Sequence, residues 1–193
     1  LGSVPIGLII SLYLYKKDIR KEGSGNIGAT NVFRVLGPLP GFLTLIGDML
    51  KGALPSYLAT LVFPDYRVNE LSSLWVVSIA LAAIIGHSAS IYLKFKGGKS
   101  VATAAGALLV LFPQIVLILL LLFLFILLLF RYVSLSSITV AILFPFLMFF
   151  FYPHNLLFLI FAILSSSLVV IRHRENIKRL LKGEEKKIKW EKT

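Results

Sequence analysis

VATAAGALLVLFPQIVLILLLLFLFILLLF, residues 101–130, is a run of thirty residues without one charge. As one α-helix it would be about 45 Å long, against about 30 Å for the hydrocarbon core of a bilayer. Pro113 stands in its middle, and the residue before a proline avoids the helical region. The run therefore reads as two segments, 101–112 and 113–130. The first is short enough that a partial or re-entrant span is the alternative.

Working outward, further apolar segments fall at 1–15, 42–63, 74–93, 135–151 and 155–171. The sum predicts an all-α, polytopic membrane helix bundle of about seven transmembrane helices, a single integral membrane domain over 1–193. Charge counting favours the break at Pro113. With the N-terminus outside, Lys16, Lys17, Arg20 and Lys21 fall in the cytoplasm, with Lys94, Lys96, Lys99, Arg131 and the nine bases of the tail from Arg172. The base left outside is Arg67, beside Asp65 and Glu70. An unbroken 101–130 span would send Arg131 and the tail outside, against the positive-inside rule. The C-terminus is thus expected in the cytoplasm, as are segments 16–37, 86–103 and 172–183.

Composition agrees. Of the 193 residues, 58% are hydrophobic, and mean hydropathy is +0.89, beyond what a soluble interior of this size can hold. The net charge of +11 sits in short loops and one tail, which argues for membrane topology and against nucleic acid. There is no cysteine, which excludes disulfides, thiol catalysis and cysteine metal sites. The three histidines lie too far apart for a zinc motif. The run from Leu1 to Tyr15 is short for a span, which predicts residues preceding it. No small-residue cleavage site follows it, against a signal peptide.

Three polar segments share the cytoplasmic side. The first runs from Gly23 to Arg34 and contains G-x-G-x-x-G. No strand or βαβ unit surrounds it, so a dinucleotide fold is rejected. Gly23, Gly25 and Gly28 would let backbone N–H groups approach an anion, Ser24, Asn26, Thr30 and Asn31 add neutral hydrogen-bonding groups, and Arg34 adds a bidentate fork. The bland alternative is a solvated loop. The second comprises Gly86-His87-Ser88 and Lys94 to Ser100. Its G-K-S ending falls short of a nucleotide phosphate loop, because Leu93 stands where a glycine is required. Gly97, Gly98 and Lys99, just before a helix start, still predict an anion site with backbone N–H groups aimed at it. Otherwise it is a basic membrane anchor. The third is His173 to Leu181. Its stripe of Ile177, Leu180 and Leu181 reads as an interfacial helix, with His173 and Asn176 on one face, Glu175 and Arg179 able to pair, and Gly183 ending it. A plain lipid-binding tail is the alternative.

Asp48 and Lys51 lie inside the second span, three residues apart. Charges there pair or line a polar cavity. They read as a mutual pair about 9 Å from the cytoplasmic end of a helix starting near Phe42. His87 is either a cavity residue or a satisfied core histidine, and His154 falls on the outer side. Glycines, hydroxyls, amides and bases on one face call for an anionic ligand, most simply a phosphate. The apolar bundle around them calls for a lipid-like second substrate.

The three segments, GSGNIGATNVFRVLG (23–37), GHSASIYLKFKGGKSVAT (86–103) and HRENIKRLLKG (173–183), resemble in order the three signatures of bacterial acyl-phosphate-dependent glycerol-3-phosphate acyltransferases. The resemblance covers about a quarter of the chain, and Leu1 to Val4-Pro5 is similar to the opening of the family's first span. It implies transfer of a fatty acyl group from acyl phosphate to the sn-1 hydroxyl of glycerol 3-phosphate, giving lysophosphatidic acid and phosphate. It implies no metal, no other cofactor and no obligatory protein partner, with membrane lipid as surroundings. The place is the bacterial inner membrane, multi-pass, with the active site facing the cytoplasm. Matched by motif, Ser24 and Arg34 are the essential pair of the first signature, with Gly25, Asn26, Gly28, Thr30 and Asn31 as substrate-binding neighbours. Lys96, Gly97, Gly98 and Lys99 are the glycerol 3-phosphate loop. His173 and Asn176 are the functional pair of the third, and Glu175 is structural. The proton of the attacking hydroxyl goes to a phosphate oxygen of the donor, the preferred route, or to His173 or His87.

Other classes fit less well. Soluble-type acyltransferases carry H-x-x-x-x-D, which none of His87, His154 and His173 begins. A CDP-alcohol phosphotransferase needs grouped aspartates, and Asp18, Asp48 and Asp65 are scattered. A membrane transporter of organic phosphates needs polar residues through several spans, and Ile115 to Phe130 has none. A non-catalytic subunit would not need all three segments.

Overall fold

The computed structural model describes residues 1–188; Lys189 and Lys192 of the expected basic tail lie outside the described residues. Among the described residues the chain is helical throughout, with no strand. It divides into two compact units, Leu1–Leu111 and Phe112 onward.

The first unit holds α1 (Ile6–Ile9, continued as a π-helix over Ile10–Leu14), a 3₁₀ turn (Ile19–Lys21), α2 (Ala29–Leu36), α3 (Pro38–Val62), α4 (Glu70–Ser88) and α5 (Val101–Leu111). The second holds α6 (Pro113–Phe130), α7 (Val133–Phe151), α8 (Leu156–Arg172) and α9 (Arg174–Leu181). By length and composition three helical segments can cross a membrane: Glu70–Leu93, Pro113–Phe130 and Val133–Phe151. The pair α8 and α9, bent by 58°, makes up to four. On α6, Leu117, Leu121, Phe125 and Leu128 are exposed while Ile115, Leu119 and Ile126 are buried. An apolar face of that kind is stable against lipid tails. The protein is an integral membrane protein.

Helix ends follow local chemistry. The long run does break at Pro113: Phe112 leaves the helical region at φ −140°, ψ 61°, and Pro113 opens α6, where its missing N–H costs nothing. Gly37, at φ +97°, stops α2, and Pro38 starts α3 at once. That is four residues before the expected Phe42, so Asp48 lies about 15 Å along the helix rather than 9 Å. Asn69 caps α4 by accepting from the N–H groups of Leu71 and Ser72, which moves that start ahead of residue 74. Asn155 does the same for α8 through Phe158.

In the first unit α3 packs along α5 through two reciprocal notches. A side chain at Gly52 would overlap the carbonyl of Thr103, and one at Gly106 would overlap the carbonyl of Met49. Without a hydrophobic drive between helices in lipid, such close backbone approach is a main source of attraction. It also brings the start of α5, where the second polar segment ends, against the charged middle of α3. In the second unit a ring cluster fills the core: Phe112 lies edge-on to Phe158 at 5.0 Å and to Tyr152 at 5.3 Å, and Phe144 to Phe161 at 6.2 Å.

Gly106→Leu is expected to force α3 and α5 apart and to destabilise the first unit by ~1–3 kcal/mol or more. Leu109→Ala, at an exposed position on the same helix, should change little. Thermal melting in detergent of the two variants checks this.

Candidate active site

The first polar segment is tied down from within. Asp18 begins the tie: its carboxylate accepts from Arg20 Nε at 2.8 Å and Nη2 at 2.7 Å, and these bonds hold its pKa at about 2. The buried Asn31 of α2 is the hub. Its amide nitrogen donates to the carbonyls of Ile19, Glu22 and Asn26 at 3.2, 3.1 and 2.9 Å, and its oxygen accepts from the Ser24 N–H at 2.8 Å. Gly23, at φ +62°, passes so close that any Cβ would overlap that oxygen. Asn26 closes an Asx turn on the Gly28 N–H at 2.8 Å, and the Gly25 N–H donates to Glu22.

The expectation of backbone N–H groups aimed at an anion is therefore corrected here. The N–H groups of Ser24, Gly25 and Gly28 are engaged inside the loop, and so are the Asn31 side chain and the Asn26 side-chain oxygen. What the segment offers outward are the exposed side chains of Ser24, Thr30 and Arg34. Among the described residues Arg34 forms no ion pair.

The second segment wraps the end of α4. Gly97 N–H donates to the Ser88 carbonyl and Gly98 N–H to that of His87, both at 3.0 Å, closing carbonyls that a helix end leaves open. These two N–H groups cap α4 instead of pointing at a ligand, a second correction. The glycines are nonetheless required, since a Cβ on Gly98 would overlap His87 Nε2. The other ring nitrogen, Nδ1, lies 3.6 Å from Asp48 Oδ1, and Lys51 Nζ lies 2.9 Å from the same oxygen. All three side chains are at most 5% exposed. Lys51 also donates to the Val4 carbonyl at 2.8 Å. The expected mutual pair is present, and the buried His87 ring lies beside it, between the carboxylate and the Gly98 loop. Ser100 locks the far end of the loop, donating to the Ile84 carbonyl at 2.7 Å and meeting Ser88 Oγ at 2.6 Å. Lys96 is exposed and Lys99 half-buried. Leu93 packs on the apolar cluster of Leu8, Ile19, Ile27 and Val32, which underlies the first segment. The two segments thus share one support.

The third segment lies in the second unit. His173 is buried at the bend between α8 and α9. Its Nδ1 lies 2.8 Å from the Val169 carbonyl, and a carbonyl can only accept. Nδ1 therefore carries the hydrogen, and a neutral ring presents Nε2 as an acceptor. Asn176, also buried, donates to Glu185 at 2.7 Å. The expected Glu175–Arg179 pair is not formed. Arg179 donates to Glu185 at 2.7 Å, while Glu175 stays at the surface near Lys178 at 3.5 Å and Arg174 at 3.7 Å. Glu185 and its third donor, Ser134, escaped the sequence reading. The one available signal was the Glu184-Glu185 pair just past a helix-ending glycine in a largely basic tail. His154 is exposed. Among the described residues no group of three or more His, Asp or Glu is placed to hold a metal.

Comparison with known proteins gives a consistent result. A family model described as glycerol-3-phosphate acyltransferase matches residues 1–183. The glycerol-3-phosphate acyltransferase of Geotalea daltonii is 46% identical over 185 residues, covering 96% of this chain and 91% of the relative. That of Syntrophotalea carbinolica is 44% identical over 189 residues, covering 98% and 93%. Among solved structures, the glycerol 3-phosphate form of PlsY (YgiH), an integral membrane glycerol 3-phosphate acyltransferase, is similar at a TM-score of 0.87 and 41% identity. It covers 97% of this chain and 90% of that one. The lysophosphatidic acid form is similar at 0.85 and 40%.

Breaking a buried ion pair from one side costs about 3–5 kcal/mol, whereas removing both charges is far cheaper. Asp48→Asn and Lys51→Met are each expected to destabilise strongly in detergent melts, and the double variant to cost less than either. Additive losses would show that the two charges do not act as a pair.

Proposed function

The chain belongs to the glycerol-3-phosphate acyltransferase family, and from that premise we propose that it moves a fatty acyl group from an acyl phosphate to the sn-1 hydroxyl of glycerol 3-phosphate, giving lysophosphatidic acid and inorganic phosphate. The observation that carries the reading is the likeness, over nearly the whole chain, to an acyltransferase solved with glycerol 3-phosphate and with lysophosphatidic acid. The proposal places the enzyme in the bacterial inner membrane with seven crossings, the N-terminus outside, the C-terminus inside and the active site facing the cytoplasm. The distribution of bases and the separation of α5 from α6 at Pro113 support that topology.

Two phosphates must be held at once, and their repulsion has to be offset by fixed positive charge. Lys96 and Lys99 hold glycerol 3-phosphate, on a loop that Gly97 and Gly98 seat against His87. Thr30 adds an exposed hydroxyl from the first segment. Arg34 and the Ser24 hydroxyl hold the acyl phosphate. Gly25, Gly28 and Asn31 shape that loop, and the Asn26 amide nitrogen adds a donor to it. The glycerol oxygen bonds to the acyl carbon, and the carbonyl oxygen takes the negative charge, stabilised by donors already in place. The bond from the acyl carbon to the bridging oxygen then breaks, and phosphate leaves with the electron pair. Phosphate is a good leaving group, so a phosphate oxygen of the donor suffices to take the hydroxyl proton. His173 and Asn176 then orient the reactants, with the His173 tautomer set by Val169. Holding both substrates together supplies much of the acceleration.

Purified protein with palmitoyl phosphate and glycerol 3-phosphate, without metal, nucleotide or CoA, is expected to release phosphate in a glycerol 3-phosphate-dependent way. Arg34→Ala and Ser24→Ala should each lower that rate about 100-fold or more. Release that ignores glycerol 3-phosphate would mark a hydrolase. No release from folded protein would sink the reading.

A further inference from the structure

Two corners of the first unit are built alike. The π-helical turn Ile10–Leu14 ends on Tyr13, Leu14 and Tyr15, all exposed, and the chain turns at Lys16, at φ +55°. The Lys17 N–H closes that corner on the Ser11 carbonyl at 2.9 Å. The 3₁₀ turn Ile91–Leu93 likewise exposes Ile91 and Tyr92, and the chain turns at Lys94 and Phe95, at φ +51° and +64°. Here the Ser90 carbonyl closes the corner, accepting from the Leu93 N–H at 3.0 Å and the Phe95 N–H at 2.9 Å. Non-glycine residues enter the left-handed region at a cost, and such strain is kept where the surroundings or a function require it.

What the turns achieve is a sorting of side chains. Leu12 and Leu93 pack inward on one apolar cluster, that of Leu8, Ile19, Ile27 and Val32. Their neighbours Tyr13 and Tyr92 stay outside, 71% and 66% exposed. The two corners therefore flank the same cluster. Together they present Tyr13, Leu14, Ile91, Tyr92 and Phe95 as an apolar part and Lys16, Lys17 and Lys94 as a charged part, all exposed. Among the described residues these three lysines form no ion pair, and Asp18, next in the chain, is held by Arg20. The segment Glu70–Leu93 is long and apolar enough to cross a bilayer, so Lys94 is the first residue past a span. Rings and lysines at that level match a membrane interface, with apolar bodies among the chains and ammonium groups at the lipid phosphates. Water would leave the apolar part uncovered, and hydrocarbon would leave the lysines without a partner. An anionic headgroup above its own acyl chains satisfies both parts.

We propose that these two corners form a binding surface for anionic phospholipid headgroups of the surrounding leaflet, with Lys16, Lys17 and Lys94 on the phosphates and Tyr13, Tyr92 and Phe95 among the upper chains. Each corner leads directly into a polar segment: Lys17 into the loop that Asn31 holds, Phe95 into the glycine–lysine loop. The lipid contact thus fixes the level at which both loops stand, and it gives these lysines a ligand distinct from the substrates.

The test places a fluorescent reporter on the surface by Tyr92→Trp, in a chain whose own two tryptophans are removed by Trp75→Phe and Trp190→Phe. The protein is reconstituted in vesicles of equimolar phosphatidylcholine and phosphatidylglycerol, with quenching bromine on the chains of one lipid or the other. The reporter is expected to contact phosphatidylglycerol about fivefold more often than phosphatidylcholine at low salt. That ratio should fall toward one when Lys16→Gln, Lys17→Gln and Lys94→Gln are combined, and also at high salt, which screens the attraction. Melting in detergent checks that the combined variant is folded. Equal contact with both lipids in the parent, or a parent-like ratio in the combined variant, would overturn the proposal. Quenching by neither lipid would leave the surface to water and a soluble partner, and would overturn it as well. If the Tyr92→Trp protein does not fold, Tyr13→Trp carries the reporter on the other corner. Lipid contact is read here without phosphate release, so a failure of the acyl-transfer reading would not alter the result.

Discussion

Asp48 is a carboxylate about ten residues into α3 and almost wholly buried, where an unpaired charge is costly. Its partners are the reason the first unit is built as it is. Lys51, on the same helix, neutralises it and reaches on to the Val4 carbonyl, so the N-terminal segment is pinned to α3. His87, on α4, places Nδ1 3.6 Å from it, so a second helix passes close beside the pair. The opposite edge of that imidazole is the surface on which Gly98 lies. One buried pair therefore ties the N-terminal segment to α3 and lies against the imidazole on which the glycine–lysine loop rests. The Gly52 and Gly106 notches act in the same direction, since they let α5 begin beside that group.

A common design runs through all three polar segments. Each is made rigid by hydrogen bonds that close on the protein itself, and each turns a few side chains outward. Asn31 holds the first loop through four bonds, the end of α4 holds the second, and Glu185 holds the third. A loop organised this way need not be ordered by its ligand, so less of the binding energy is lost to fixing conformation. The physical cost falls on sequence freedom: Gly23 and Gly98 are positions where any side chain would collide with the group that organises the loop.

Much of the helical frame was legible because the signals were local. A proline inside an apolar run and a glycine after a charged helix each act within a turn or two of where they stand. The Asp48–Lys51 pair was legible for the same reason, being one helical turn apart. The three segments were recognisable from their residue types, but what each residue does in them was not. Glycine-rich stretches next to lysine suggest N–H groups facing a ligand. Whether those groups face outward depends on a partner seven or eleven residues away, as Ser24 depends on Asn31 and Gly98 on His87. Periodicity likewise matched Arg179 with Glu175 at the right helical spacing. It could not show that a chain reversed at Gly183 offers a better-placed carboxylate. Side-chain pairing across a reversal is a tertiary fact with no periodic trace.

The same pairings explain why a chain with 20 bases and 9 acids is arranged as it is. Arg20 is taken by Asp18, Lys51 by Asp48 and Arg179 by Glu185. These three bases are structural, and each has its own carboxylate. Arg34 and Lys96 are exposed and form no ion pair among the described residues. Three of the acids are thus placed against bases that build the scaffold, while Arg34 and Lys96 stand without such a partner among the described residues. A protein that only had to bind an anionic membrane surface would gain nothing from that sorting, because surface attraction depends on the sum of charges within a screening length. Holding two phosphorylated molecules in one place does depend on it. Each carboxylate kept off the outward face raises the positive potential there, and that potential has to overcome the repulsion of one phosphate for the other.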